Sequence, residues 1–135
     1  MIYSLRKTLL KLVALDLIVH LRLGISQLNK EWLNMTSLIP QNLLNQIPDL
    51  YETERSLNPI CQIKLFTPDS NFTWYIIEIS KEDKSTCYGY VVGFESELGY
   101  FSLKEIESIK GALGLGVERD LSFKPTALAI IRKST

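Results

Sequence analysis

The sequence predicts an α+β domain: a small antiparallel sheet of about four to five strands with a short capped helix, preceded by N-terminal helices. Three observations predict it. Between Cys61 and Lys124 the chain holds several short runs of aromatic and β-branched residues, separated by turn formers. Among them Ser102-Leu103-Lys104-Glu105 has the spacing of a helix capping box. The 135 residues are 46% hydrophobic, enough for one core without a metal or a disulfide network. The organisation that follows is an amphipathic N-terminal extension over 1–34 and a single α+β domain over 35–135.

The extension opens with LRKTLLKLVALDLIVHLRLGI at 5–25, which is apolar but interrupted by Lys11, Asp16, His20 and Arg22. A membrane span needs about twenty nearly charge-free residues, so no transmembrane segment is expected. Leu5, Leu9 and Leu12 share a helical face, which favours a packing helix. The β-branched pair Ile18 and Val19 leaves a strand open. A surface-membrane helix and an organelle-targeting segment are weaker alternatives. Further on, Ser37 stands where it would cap a helix over Leu38–Ile47, which Pro48 would stop. Asp49 to Pro59 reads as a polar loop anchored by Leu50 and Tyr51.

The strands come next. Ile60–Phe66 would place Cys61, Ile63 and Leu65 on one face. Thr67 to Asn71 is a turn, Phe72–Ile79 the second strand, Lys81–Ser85 a charged hairpin loop and Thr86–Val92 the third strand. Phe94–Gly99 reads as a turn. The capped helix would run to Lys110 and end at Gly111. Val117–Phe123 reads as the last strand, and Ala127–Ile131 would cover a sheet edge.

Charge and cysteine usage exclude several function classes. Lys+Arg and Asp+Glu both number 15, so no global field points to nucleic acid or to an acidic membrane. Cys61 and Cys87 form no CxxC pair and fall in strands, which predicts two buried free thiols rather than a disulfide, a redox pair or a metal site. That usage fits the cytoplasm, or the equivalent reducing compartment of an organelle. The single histidine, His20, has no partner motif for nucleophilic catalysis.

Candidate chemistry rests on carboxylates. Glu118, Asp120 and Ser122 would share one strand face, with the carboxylates roughly 6–7 Å apart by strand rise. Arg119 falls on the apolar side, where it would either snorkel or pair with a carboxylate such as Glu78. Asp69, Glu78, Glu95 and Glu97 add acids near strand ends. Magnesium or manganese enters only if several of these oxygens converge. The aromatic run Phe66, Phe72, Trp74, Tyr75, Tyr88, Tyr90, Tyr100 and Phe101 fits core packing better than base stacking, because few basic residues accompany it.

The runs Leu50-Tyr51-Glu52-Thr53-Glu54, KLFTPDSNFTWYIIE at 64–78, YGYVVGFESELGYFSLKEIES at 88–108 and GLGVERDLSFKP at 114–125 together resemble the DUF2958-type domain, a bacterial family of unknown function. The resemblance covers about residues 35–128. Phe72 stands where that family usually has tryptophan, and the lead-in is longer than usual. The resemblance implies a small soluble protein of mobile elements such as plasmids and phages, with no established reaction. Some members carry a single-strand DNA endonuclease label, but no nuclease motif accompanies it here. It also marks Asp69, Glu78, Glu95, Glu97, Glu118, Arg119 and Asp120 as positions that keep the family pattern. These readings lead to an accessory or interaction domain with a protein partner. A metal-dependent phosphodiester hydrolase and a single-stranded nucleic-acid binder are the alternatives.

Overall fold

The computed structural model describes residues 37–135, and the compact unit Asn42–Thr135 carries the fold. The helices expected over 1–34 lie outside the described residues. Among the described residues, seven strands run in chain order: β1 (Ile60–Cys61), β2 (Ile63–Phe66), β3 (Thr73–Ile79), β4 (Thr86–Val92), β5 (Ser96–Ser102), β6 (Glu118–Arg119) and β7 (Thr126–Ala127). Five of them form one antiparallel sheet in the order β5-β4-β3-β2-β6, while β1 and β7 pair separately. The helices are short: α1 (Gln41–Leu44), α2 (Leu103–Ser108) and α3 (Leu128–Ser134). The α+β expectation therefore holds for the described residues.

Both faces of the sheet are buried at its centre, which is why β3 reads as almost continuously apolar. Tyr75 and Ile77 of β3 cluster with Tyr90, Cys61, Leu128 and Ile131, so α3 covers this face. Trp74 and Ile76 alternate onto the other face, in line with Leu65 and Ile63 of β2. Gly89 of β4 lies so close to β3 that a Cβ there would stand 2.0 Å from the Tyr75 carbonyl oxygen. A bulge follows between Ile76 and Glu78. The extra residue, Ile77, swings Glu78 onto the same face as Tyr75. The cross-strand line there runs from Glu78 to Tyr88 to Tyr100.

Several expectations are corrected. Ile60–Phe66 is two strands broken at Gln62, whose amide donates to the Ile76 carbonyl (2.7 Å) beside the bulge. The break sends Cys61 to the α3 side of the sheet, while Ile63 and Leu65 stay on the other. Phe94–Gly99 is a turn only as far as Glu95, because Ser96–Ser102 pairs with β4 along its whole length. The last strand is limited to Glu118–Arg119. Asp120 still donates to the Lys64 carbonyl, but its carboxylate then accepts from the amide and hydroxyl of Ser122 and turns the chain. Residues 128–134 are a helix over a sheet face rather than an edge cover.

Two helix boundaries also differ. Ser37 donates its hydroxyl to the Ile39 carbonyl instead of capping, and the helix shrinks to α1. Ser102 does cap α2, accepting from the Glu105 amide, but α2 ends at Ser108. There Lys110 bridges Gly116, and Gly111 and Leu115 bond across a tight loop with Gly114 at φ 79°. That pairing takes the residues a longer helix would need.

Candidate functional site

Glu78 is the best-defined of the acidic candidates. The bulge turns it toward the loop after α1, and burial leaves it 2% exposed. Its Oε2 accepts from the Tyr51 amide (2.8 Å), and its Oε1 accepts from both the amide (2.9 Å) and the hydroxyl of Thr53. The same loop is laid along the end of β3 by the Ile79 amide, which donates to the Pro48 carbonyl, and by Asp49, whose Oδ1 accepts from Lys81 and Leu50. Those amide bonds hold the Asp49 carboxyl below its ordinary pKa. Tyr51 is thereby fixed at φ 70°, an unusual conformation for a residue with a side chain.

Above Glu78 stands a row of tyrosines. The rings of Tyr88 and Tyr100 are 5.1 Å apart and tilted by 50°, and Tyr51 approaches Tyr100 at 6.5 Å and 54°. Tyr51 and Tyr100 remain 61% and 56% exposed. The neighbouring Tyr51 hydroxyl, then burial, and to a lesser degree the nearby Glu78 charge raise the pKa of the Tyr100 hydroxyl. The sequence offered Tyr88 and Tyr100 only as members of an aromatic run. Nothing local signals that Tyr51 joins them, since the fold closes that distance through Glu78.

The other candidates lie elsewhere. Asp69 sits in the β2–β3 turn, where its Oδ2 accepts from the amides of Leu113 (2.7 Å) and Leu115 (3.3 Å) and holds the glycine-containing loop. Glu95 and Glu97 are exposed in and just after the β4–β5 turn. Glu118 is buried opposite Phe66, which in turn pairs with Thr73. Thr73 and Glu78 are five residues apart on β3, so Glu118 and Glu78 are separated by roughly 15 Å of strand. Asp120 lies nearer the middle, 3.5 Å from the Lys64 ammonium. Its carboxyl pKa is lowered first by the Ser122 hydroxyl bond.

Arg119 pairs in register with Leu65, on the face opposite Glu78, so the considered Arg119–Glu78 pair does not form. With Asp120 it lines an open groove of about 260 Å³, whose apolar wall includes Leu43, Ile47, Ile63 and Phe123. Among the described residues, no group of three or more acids, histidines or cysteines is placed to hold a metal ion. Both cysteines are free and buried, and burial pushes each thiol up to about 12. No helix among the described residues is long and apolar enough to cross a membrane. Of the eight aromatics read as a run, Trp74, Tyr75 and Tyr90 are in the core.

Among the described residues, Glu78, Asp69 and Asp120 hold backbone amides. Neither the curated proteins nor the solved structures give a match. Residues 35–130 match the family model of a protein of unknown function, DUF2958, and the chain belongs to that family.

Proposed function

We propose that the domain is a non-enzymatic accessory or interaction module that serves mobile genetic elements and acts through a protein partner. One observation carries this reading: the acids that would do chemistry are already committed to shaping the chain. Glu78 and Asp69 each accept from two backbone amides, and Asp120 from one. A hydrolase of phosphodiesters needs carboxylate oxygens that converge and remain open to a metal, which would then activate water. Glu78, Glu118 and Asp120 are strung along the sheet instead.

The test uses the full chain. Calorimetric titration with magnesium and with manganese at millimolar concentration is expected to give no binding heat. Incubation of a single-stranded DNA with either metal is expected to leave it intact. Metal-dependent cleavage would overturn the reading in favour of the hydrolase. DNA binding without cleavage, with affinity falling steeply as salt rises, would replace it with a nucleic-acid module.

A further inference from the structure

We propose that Tyr51, Tyr88 and Tyr100, backed by the Glu78 carboxylate, form a shelf that receives an arginine side chain of a protein partner; this rests on the interaction-module reading above. The shelf is built from distant parts of the chain. Glu78, Tyr88 and Tyr100 occupy one cross-strand line over three adjacent strands, and the Glu78 carboxylate brings Tyr51 to them. A side chain at φ 70° costs backbone energy, and the two amide bonds to Glu78 are what hold it there. The product is two largely exposed rings beside a third that is half-buried.

Charge selects the occupant. The donors that fill Glu78 are two amides and a hydroxyl, all neutral, so among the described residues no base bonded to it offsets its charge. The loops at this end of the sheet add Asp49, Glu52, Glu54, Glu82 and Asp83, against Arg55, Lys81 and Lys84. A phosphate backbone is repelled from such a surface. A cation is drawn to it, and the tyrosine faces carry the quadrupole that holds one. Arginine suits the site better than lysine because a planar guanidinium stacks on a ring while its N–H groups stay free to bond. The described residues already include such a contact, with the Arg132 guanidinium 5.5 Å from the Tyr90 ring centroid.

The probe is a capped Gly-Gly-Arg-Gly-Gly peptide, with citrulline in place of arginine as its neutral counterpart. Both are titrated into the full chain while the tyrosine ring resonances are followed by NMR. Saturable shifts at Tyr51, Tyr88 and Tyr100 are expected with the arginine peptide, and at least tenfold weaker binding with citrulline. Tyr100→Ala is expected to weaken the arginine peptide roughly two- to fivefold, while Tyr100→Phe keeps the ring and the binding. Equal binding of the two peptides, or no shift at these rings, overturns the shelf. That failure is distinct from failure of the parent reading, which is decided by metal binding and DNA cleavage.

Discussion

At Glu78 a carboxylate leaves water and receives three donors in exchange, all from residues 25 to 27 positions away in the chain. Removing it leaves two part-buried amides and the Thr53 hydroxyl without this acceptor. Glu78→Ala is therefore expected to lower stability by about 2–4 kcal/mol. The measurement is a urea titration, with the midpoint falling and the slope nearly unchanged. Asp83 gives a second residue-scale test. Its carboxyl pKa is lowered from 3.8 to about 2, first by the Thr86 hydroxyl and then by the amides of Thr86 and Ser85. A depressed folded-state pKa means stability that is present above the unfolded value and lost as pH falls through the folded one. The urea midpoint should thus drop between pH 3.8 and about 2, and Asp83→Ala should flatten that part of the profile.

Among the elements, β4 and β5 make opposite demands on their glycines, although the two pair directly as Gly89 and Gly99. A methyl at Gly89 meets the Tyr75 carbonyl, which is backbone and cannot swing aside, whereas one at Gly99 meets nothing within 4 Å. Gly89→Ala is expected to cost about 3 kcal/mol, and Gly99→Ala to stay within about 0.5 kcal/mol, read from thermal or urea unfolding. This pair also shows what the sequence could disclose. The strands β3 and β4 were legible because Trp74 to Ile79 and Tyr88 to Val92 are aromatic or β-branched, with only Glu78 and Gly89 intervening. The strand β5 was not, because Ser96-Glu97-Leu98-Gly99 looks like a turn and becomes a strand only by pairing with β4. The acids Glu78, Asp69 and Asp120 could be picked out by type. The roles of Glu78 and Asp69 could not, since each depends on amides that the fold brings up from distant loops, whereas Asp120 bonds locally to Ser122.

For the whole molecule, the two thiols report on both layers of the core. Cys61 lies in the cluster under α3, and Cys87 pairs with Ile79 on the other side of the sheet. With each thiol pushed up to about 12 and fully buried, neither should react with a thiol reagent at pH 8 in the native protein. Both should become reactive together as denaturant is added, at the midpoint seen by fluorescence. Separate midpoints would mean that the two layers unfold independently. The Glu78 grip on Tyr51 and Thr53 has its own consequence at this scale. Just beyond the gripped residues, Arg55 to Asn58 is exposed, with Leu57 fully so. A protease that nicks the chain after Arg55 would leave two covalently separate pieces still fastened together, with Glu78 of the longer fragment holding the tail of the shorter one.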